Sequence, residues 1–524
     1  MSTTTLVTNR AMLAHRCEWD ANNIERPSRL KVILDCLDKG EVCDGFTRVE
    51  GESADIDDIL LVQTKEYVAK IEEVCGKSID EMENYCAHNE DIYLNESTFK
   101  CALMSAGSSI QAMKAVLGKR GHNSFAAVRP PGHHAWQDAG CGFCIFNNVA
   151  ICAKKERLGC QRVLILDWDV HAGQGTQYCI AGEEQIQLIS SHRYEEGRFW
   201  PQLPESGIRN KYPNTINLPL NEVGAGDAEY IYFLNRLILP VISDFKPELI
   251  LLSCGFDAAL GDPEGEMKIT PAGYGTMLGH LAAMQIPLCV LLEGGYFLES
   301  VKESFKFCME ALVHKRPPLP LALEPPKESF KDQVLRTMIM HQGKFPIVER
   351  LIHVLQKCRA LENQAEIEVP LCEYFGEREY GTPPYPTRNV YKPRPEGVES
   401  HFRDLIKELV LHYDELRAET NWNAEPFYIT GQDNVITLRG KDQETTITNA
   451  TQEEVALLFF TVVQELQTDF RRTKIVVNGS ELPFPVTLDD LQKQLKIRAG
   501  SVDAKADQKM AEFLRALRRN PQRS

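Results

Sequence analysis

The sequence lacks any run of about 20 consecutive apolar residues, the length that a helix needs to cross a bilayer. Its first residues, MSTTTLVTNRAMLAHRC, also lack the apolar stretch of a secretory signal peptide. The 16 cysteines do not form the dense pattern of a small disulfide-bonded domain. We therefore expect reduced thiols, no membrane partner, and a protein of the cytoplasm or of the cytoplasm and nucleus.

Positively charged residues are outnumbered by negatively charged ones. The chain has 58 Lys and Arg residues against 74 Asp and Glu residues, a formal net charge of −16. Nucleic-acid binding needs concentrated Lys and Arg, so we expect no direct binding of nucleic acid. An acidic surface attracts cationic ligands over a screened distance of roughly 10 Å, although plain solvation of surface carboxylates is the simpler explanation.

The chain of 524 residues is too long for one ordinary hydrophobic core, and its pattern changes along its length. From residue 1 to about 316, short Val/Ile/Leu runs alternate with helix-length segments such as 99–119. This alternation predicts a doubly wound α/β layer with a mostly parallel central sheet. The predicted buried strands are 124–128, 162–170, 186–192, 215–220, 248–257 and 288–296.

The rest of the chain has a different composition. The Pro-rich stretch 317–326 ends the alternation, so we place a first domain at 1–326. Residues 327–398 predict a helical extension and a Pro/Tyr-rich linker at 381–397. Residues 399–524 mix helical patterns with short strands, including 434–440 and 474–480, and predict a small α+β module of unknown role. A protein partner is one interpretation of this C-terminal region, although Leu-rich helical patterns more often indicate core packing.

Several predicted strands become polar at their carboxyl ends, where open α/β sheets bind ligands. These polar residues are Asp167, Asp169 and His171 after one strand, Asp257 after a second, Tyr296 after a third, and His133 and His134 after a fourth. One polar strand end is usually a turn or a cap. Four in one chain predict that the side chains meet in one crevice.

The acidic residues and one histidine of this set suit a metal ion. Asp169 and His171 are two positions apart, so in an extended strand their side chains point to the same face, and Asp257 approaches from a neighbouring strand. Two carboxylates and one imidazole leave room for water and substrate, which is typical of catalytic zinc. Fe(II) remains an alternative for this ligand set. Because position 173 is Gly rather than a carboxylate, we expect a mononuclear centre.

With the metal positions filled, His133 and His134 are available for proton transfer. Amide hydrolysis needs a base for the attacking water and an acid for the leaving amine. A Tyr296 hydroxyl opposite the metal would donate to the oxyanion. Asp167 is a candidate partner for the Nδ1–H group of one histidine.

Five motifs in this order resemble the zinc-dependent histone deacetylase family: RPPGHH (129–134), GCGFCIFNN (140–148), DWDVHAGQG (167–175), SCGFDAALGDPEG (253–265) and LEGGY (292–296). The resemblance implies a three-layer arginase/deacetylase-like α/β fold and hydrolysis of an acetylated amine. The roles that it implies are zinc ligands for Asp169, His171 and Asp257, general base for His134, electrostatic partner or acid for His133, oxyanion donor for Tyr296, aromatic tunnel walls for Phe143 and Trp200, and a structural potassium ion near Asp167, Ser190 and the backbone of Asp169 and His171.

Within the family, IERP (24–27), HRYEEGRFWP (192–201) and GDPEG (261–265) look most like class IIb, and in particular its polyamine-deacetylase branch. In that branch, the residue that matches Glu264 recognises a substrate ammonium group that is distant from the acetamide. A carboxylate and an ammonium about 4 Å apart attract by roughly 4 kcal/mol at an effective dielectric near 20. The resemblance thus implies N8-acetylspermidine or similar polyamines as substrates, or acetyl-lysine of histones and other proteins.

Three departures from the family pattern leave the substrate preference open. Ala172 stands where relatives often have a second histidine, and Gln174 stands where some have an acidic partner for the general base, which makes that base less basic. The stretch WDANNIERP (19–27) also lacks the insertion that narrows the tunnel in the polyamine branch. A catalytically weak or inactive scaffold with the deacetylase fold, which binds acetylated ligands, is the alternative function, and Ala172 is the residue that keeps it open.

Cys141 and Cys144 form a C-x-x-C pattern that is typical of redox sites and of half a zinc site. No second C-x-x-C with suitable spacing lies nearby, and in a strand the two thiols would point to opposite faces. We therefore interpret both as small core residues.

Overall fold

The structure, a computed structural model, describes residues 3–155, 161–318, 325–349 and 351–352, single residues 321 and 323, and five short strands between residues 427 and 481. These residues belong to two compact units. The first contains the described residues up to Asp227 and from Lys246 to Pro318, and the second contains Ala228–Phe245 and the described residues after 318.

An eight-stranded sheet forms the centre of the first unit. Its strands are β1 (Thr4–Thr8), β2 (Thr47–Glu50), β3 (Asn123–Ala127), β4 (Val163–Asp167), β5 (Ile186–Arg193), β6 (Thr215–Leu220), β7 (Leu249–Cys254) and β8 (Leu288–Leu292). The order is β2-β1-β3-β8-β7-β4-β5-β6, and every pairing is parallel. Strands β3 to β8 are buried at every residue, so both faces of the sheet are covered. The predicted α/β fold with a parallel sheet is confirmed.

The six predicted strands correspond to β3 through β8, but three of them end earlier than expected. β4 ends at Asp167, β7 at Cys254 and β8 at Leu292. The polar residues beyond these ends leave the ladder and form loops. β1 and β2 were not predicted, because β1 is rich in Thr and β2, with the sequence TRVE, is an edge strand whose residues are mostly exposed.

Helices connect most of these strands. They are α1 (Ser28–Asp38), α2 (Ile56–Ile59), α3 (Lys65–Cys75), α4 (Ile79–Cys86), α5 (Thr98–Val116), α6 (Asn148–Lys155), α7 (Gln174–Cys179), α8 (Asp227–Phe233), α9 (Leu239–Phe245), α10 (Pro271–Ala283), α11 (Leu298–His314) and α12 (Glu328–His341). A π-helical segment, Leu234–Ile238, joins α8 to α9, and short 3-10 segments lie at Arg10–Ala14, Glu195–Gly197, Pro204–Ser206 and Gln342–Lys344.

Local sequence signals set the ends of these helices. Thr270 caps α10 by accepting a hydrogen bond from the Gly273 N–H at 3.0 Å, and Pro271 occupies the first helical position. The helix predicted at 99–119 is α5. It stops at Val116 because Leu117 has a non-helical ψ of 130° and Gly118 has a positive φ of 66°. The described helices include none that is long and apolar enough to cross a membrane.

The second unit contains α9, α12 and a separate five-stranded sheet. Its strands are β9 (Phe427–Gln432), β10 (Val435–Arg439), β11 (Glu444–Ile447), β12 (Ile475–Val477) and β13 (Ser480–Glu481), in the order β11-β10-β9-β12-β13. β12 pairs with β9 in parallel, and the other pairings are antiparallel. The predicted strands 434–440 and 474–480 contain β10 and β12. The linker 381–397 lies outside the described residues, and the boundaries at 326 and 398 stay predictions.

Candidate active site

The loops after β4 and β7 bring two aspartates and a histidine together. Because β4 ends at Asp167, Asp169 and His171 lie in a loop, and the expectation that they share one face of an extended strand was wrong. They nevertheless converge with Asp257. The Nδ1 atom of His171 lies 3.2 Å from Oδ1 of Asp169 and 3.3 Å from Oδ2 of Asp257. One ligand atom from each of the three residues lies within 4.8 Å of the others.

This cluster has the properties of a cation site. Oδ2 of Asp257 is buried and makes no hydrogen bond with the described residues, although Oδ1 accepts one from the Val170 N–H at 2.8 Å. Burial and the nearby charge of Asp169 raise the pKa of Asp257 to about 6. A bound cation would offset the repulsion between Asp169 and Asp257 and would coordinate the free lone pairs of Oδ2. Two carboxylates and one imidazole are a donor set that zinc accepts.

Two glycines shape the space around these ligands. A Cβ atom at Gly294 would lie 2.1 Å from Oδ2 of Asp257, so only glycine fits against this carboxylate. A Cβ atom at Gly173 would lie 2.3 Å from Oδ2 of Asp167. A carboxylate side chain at position 173 would collide in the same way, and the mononuclear centre stays a prediction.

The adjacent histidines have different partners. Nδ1 of His133 lies 3.0 Å from Oδ2 of Asp167, and Nδ1 of His134 lies 2.7 Å from Oε1 of Gln174. The two rings are close, with centroids 3.8 Å apart. Nε2 of His133 is also 3.7 Å from Oδ1 of Asp169. The pair therefore lies directly beside the candidate metal ligands, as predicted.

These partners give the two imidazoles opposite proton affinities. Burial opposes the charged form of His133, but Asp169 and Asp167 outweigh it and raise the pKa of His133 to about 10. Burial and the neighbouring His133 and His171 hold the pKa of His134 well below its usual range. One imidazole is thus charged and the other neutral near pH 7, an arrangement suited to acid and base roles.

Glu293 supports the histidine turn and was not predicted. Its Oε2 atom accepts hydrogen bonds from the backbone N–H groups of Gly132 at 2.7 Å and of His133 at 3.2 Å. Its Oε1 atom accepts one from the Ser253 hydroxyl at 3.2 Å. Burial raises the pKa of Glu293 to about 7. The sequence signal was a carboxylate directly after the apolar run of β8, in the motif LEGGY.

Aromatic rings surround the histidines. The Trp200 ring centroid lies 4.6 Å from that of His134, and the Phe143 ring lies 6.0 Å from that of Tyr296. Phe199, which was not predicted, stacks on His171 with centroids 5.3 Å apart and an interplanar angle of 16°. The Trp200 indole N–H donates to Oε1 of Glu90 at 2.7 Å, outside this aromatic group. Phe143 and Trp200 thus lie next to the site.

Cys141 and Cys144 belong to a tight hairpin rather than to a strand. Each donates its backbone N–H to the carbonyl of the other, and Gly142 and Phe143 between them have positive φ angles. Both thiols are free and buried. Their sulfurs accept weak hydrogen bonds, from the His134 N–H to Cys144 and from Nε2 of Gln174 to Cys141. They are core residues that contact the histidine turn.

The remaining predicted residues lie on β4 and β5 and in the loops that follow β4 and β7. Asp167 and Ser190 are register partners on β4 and β5, and the Ser190 hydroxyl lies 2.8 Å from Nδ1 of His192. Glu264 is half-buried, and its backbone N–H donates to Oδ1 of Asp262 at 3.0 Å. Ala172 is buried, and its carbonyl accepts from the Gln174 N–H at 2.8 Å.

A buried ionic cluster that the sequence did not reveal lies behind the site. Glu25 accepts hydrogen bonds from Nη1 of Arg29 at 2.9 Å and from Nη2 of Arg129 at 2.6 Å. Arg29 also donates to the carbonyls of Glu293 and Gly295, and its guanidinium carbon lies 5.0 Å from the Tyr296 ring centroid. The cluster joins the start of the histidine turn to the loop after β8. The motifs IERP and RPPGHH contain two of its members.

Comparison with known families gives a consistent result. Residues 23–312, more than half of the chain, match the family model described as "Histone deacetylase domain". Among solved structures, the crystal structure of the HDA15 HD domain aligns with a TM-score of 0.58 and 30% sequence identity, covering 66% of this chain and 98% of that chain.

Curated proteins with similar sequences carry related names. The chain is 41% identical over 329 residues to Polyamine deacetylase HDAC10 of Homo sapiens. This alignment covers 60% of this chain and 49% of that protein. It is 36% identical over 324 residues to Histone deacetylase 18 of Arabidopsis thaliana, covering 59% and 47% respectively. It is 35% identical over 326 residues to Histone deacetylase HDA1 of Saccharomyces cerevisiae, covering 60% and 46%. The chain spans about half the length of these curated relatives.

Proposed function

The chain belongs to the histone deacetylase family, and from that premise we propose that it hydrolyses the acetamide bond of N-acetylated amines with one zinc ion. Asp169, His171 and Asp257 would hold the ion. The observation that carries this proposal is the buried Oδ2 atom of Asp257, which makes no hydrogen bond with the described residues and lies 3.3 Å from Nδ1 of His171, in a three-residue cluster beside two histidines. Zinc supplies Lewis acidity: it polarises the substrate carbonyl and lowers the pKa of water.

His134 acts as the general base in this proposal. Its Nδ1 atom is engaged with Oε1 of Gln174 at 2.7 Å, so Nδ1 carries the proton and Nε2 is the free basic atom. Burial and the nearby histidines keep its pKa well below the usual range, so the imidazole is neutral near pH 7. Nε2 can therefore take the proton of the attacking water.

His133 and Tyr296 supply hydrogen-bond donors. Nδ1 of His133 lies 3.0 Å from Oδ2 of Asp167, and this carboxylate stabilises the protonated ring, which suits His133 to stabilise negative charge or protonate the leaving amine. Burial raises the pKa of the Tyr296 hydroxyl well above its usual value. The phenol therefore keeps its proton and can donate to the oxyanion of the tetrahedral intermediate.

The substrate class follows from Glu264 and the relatives. We infer that the chain accepts acetylated polyamines such as N8-acetylspermidine, with acetyl-lysine of histones or other proteins as the competing class. Glu264 is half-buried beside the loop of Tyr296 and brings a negative charge to this edge of the site. Relatives named polyamine deacetylases, at 41% identity in the human protein, support the first class. Phe143 and Trp200 would contact the aliphatic part of either substrate.

A monovalent cation, potassium by family resemblance, is proposed near Asp167 and Ser190. The two residues are paired across β4 and β5, and Oδ1 of Asp167 accepts the Asp169 N–H at 3.1 Å. A cation there would hold the loop that carries Asp169 and His171. A protein partner of the C-terminal region and a cytoplasmic or nuclear location stay predictions.

The decisive experiment measures acetate release by the purified, zinc-loaded full chain from N8-acetylspermidine and from an acetyl-lysine peptide, with and without a chelator. We expect turnover that the chelator abolishes and zinc restores. The His134→Ala variant serves as the control, because it should retain zinc but lose turnover. If the wild-type chain binds zinc yet hydrolyses neither substrate, the proposed deacetylase activity is wrong and a scaffold that binds acetylated ligands is favoured.

A further inference from the structure

Two buried ionisable side chains, those of Asp262 and Arg193, hold the segment that carries Glu264. We name residues 261–266, with the sequence GDPEGE, the selector segment. Pro263 in this segment is exposed, as expected for a surface turn. Asp262 is nevertheless fully buried, and Arg193, which contacts the segment from β5, is 1% exposed. Buried Asp and Arg side chains at a surface turn are uncommon and need specific hydrogen-bond partners.

Arg193 binds the carbonyl side of the selector segment. Its Nη1 atom donates to the carbonyls of Glu264 and Gly265, each at 3.2 Å, and its Nη2 atom lies 3.3 Å from Oε1 of Glu266. Its Nε atom donates to Oε1 of Glu195 at 2.6 Å. A planar guanidinium with these partners fixes both position and orientation, which a lysine ammonium does not reproduce.

Arg193 is itself fixed relative to the candidate metal ligands. Its guanidinium carbon lies 4.3 Å from the centroid of the Phe199 ring, and Phe199 stacks on His171 with centroids 5.3 Å apart. The stack of Arg193, Phe199 and His171 therefore connects the main chain at Glu264 to a metal-binding imidazole.

Asp262 binds the amide side of the selector segment. Its Oδ1 atom accepts the Glu264 N–H at 3.0 Å. Its Oδ2 atom accepts the N–H groups of Tyr296 at 2.6 Å and of Phe297 at 3.1 Å. One carboxylate thus sets the position of Glu264 relative to Tyr296, the proposed oxyanion donor.

We propose that Arg193 and Asp262 are positioning residues that fix the Glu264 carboxylate relative to Tyr296 and thereby set the choice between acetylated polyamines and acetyl-lysine. The inference rests on the proposed function, in which Glu264 attracts a distant substrate ammonium. That attraction depends on separation, so a carboxylate on a loose turn discriminates less than one held in place. Selectivity is a difference between two affinities, and a displaced Glu264 changes the affinity for the polycation alone.

The test measures kcat and KM for N8-acetylspermidine and an acetyl-lysine peptide with the zinc-loaded full chain and four variants: Arg193→Lys, Asp262→Asn, Glu264→Leu and Asp227→Asn. Zinc content and the thermal unfolding midpoint are recorded for each. Asp227→Asn is the matched control, because Asp227 accepts the Thr270 N–H and hydroxyl, each at 2.7 Å, near the start of α10. We expect it to leave the substrate ratio unchanged.

Arg193→Lys should lower the ratio of kcat/KM for acetylspermidine over acetyl-lysine by about tenfold, mainly through the KM for acetylspermidine. Asp262→Asn should lower the ratio similarly and also lower kcat for both substrates, because an amide accepts hydrogen bonds at one atom only and releases either Glu264 or Tyr296.

The double variant Arg193→Lys/Glu264→Leu should show the same substrate ratio as Glu264→Leu alone, because Arg193 acts only through Glu264. A merely structural role would reduce both substrates equally and leave the ratio unchanged.

The outcomes separate the two claims. If Glu264→Leu lowers the ratio while Arg193→Lys and Asp262→Asn leave it unchanged, the positioning inference is wrong and the selector stands. If Glu264→Leu leaves the ratio unchanged, the selector and the inference both fail while the deacetylase activity stands. Arg193→Lys or Asp262→Asn could lose zinc or no longer unfold cooperatively. In that case Glu266→Gln decides, because it removes only the negative charge of the group 3.3 Å from Nη2 and should lower the ratio by about threefold. An unchanged ratio in that variant would overturn the inference.

Discussion

The Nδ1 atom of His134 lies 2.7 Å from the amide oxygen of Gln174. The orientation of this amide is set by its other end, because Nε2 of Gln174 faces the sulfur of Cys141 at 3.7 Å. The hydrogen-bond acceptor of the proposed base is therefore a neutral amide rather than a carboxylate. A neutral acceptor fixes the tautomer of the imidazole and stabilises its charged form less than a carboxylate would.

Gln174→Glu should raise the pKa of His134, because a carboxylate at this distance stabilises the imidazolium. A general base is inactive while protonated, so the acidic limb of the kcat/KM profile should move to higher pH by about one unit. The measurement is the pH–rate profile of the zinc-loaded variant. Gln137→Glu is the control, since Nε2 of Gln137 bonds to the Tyr178 carbonyl at 3.0 Å instead. A limb that stays in place or moves to lower pH would contradict the role of His134.

Tyr296→Phe should lower kcat by about 10²- to 10³-fold with zinc content unchanged, the usual effect of losing one oxyanion donor. The substitution removes only the hydroxyl, because the ring packs near Phe143 and the backbone N–H remains bonded to Asp262. Phe143→Tyr provides a control that adds a hydroxyl on the opposite ring of this pair. Retention of wild-type kcat by Tyr296→Phe would remove the hydroxyl from the mechanism.

The central sheet was predictable because its strands are buried on both faces. Short, continuous Val/Ile/Leu runs such as 162–170 and 248–257, placed between helical segments, are typical of buried strands in a parallel sheet. The convergence of Asp169 and Asp257 followed from the parallel direction of β4 and β7, whose carboxyl ends lie at one edge. β1 and β2 could not be recognised, since pairing with a neighbour determines them rather than their own pattern.

The charged residues that support the site were not predictable in the same way. Glu25 and Arg129 are 104 positions apart, and the local sequence around each is compatible with an exposed charge. Asp262 and Arg193 likewise depend on partners that only the fold brings close. Side chains that bind metal were recognised by their types and spacing, whereas those that hold the loops were recognised only from contacts.

Asp257→Asn should weaken zinc binding by more than about a hundredfold, because the amide cannot supply a charged oxygen to the ion. Oδ2 of Asp257 is buried and has no hydrogen-bond partner in the described chain, so it is the atom most dependent on a cation. The measurement is competition with a chelator of known affinity. Asp35→Asn, at an exposed aspartate paired with Lys31, should leave zinc affinity unchanged. Equal zinc affinity in Asp257→Asn and wild type would exclude Asp257 as a ligand.

Glu25→Gln should lower the free energy of unfolding at pH 7 by about 3–5 kcal/mol, since it leaves Arg29 and Arg129 buried without a countercharge. Burial alone would raise the pKa of Glu25, but Arg129 and Arg29 outweigh it and hold the pKa far below its usual range. The ionised carboxylate therefore contributes stability above the unfolded pKa of about 4.3, and that contribution is lost as the pH falls toward the folded pKa.

The difference between wild type and Glu25→Gln should accordingly be constant from about pH 6 to 7 and narrow below about pH 4, as measured by urea unfolding across this range. Asp35→Asn is again the control, because an exposed pair should contribute no more than about 1 kcal/mol. A difference that grew as the pH fell would mean that the protonated form of Glu25 stabilises the fold. The two arginines would then need another anion to remain buried between the histidine turn and the loop of Tyr296.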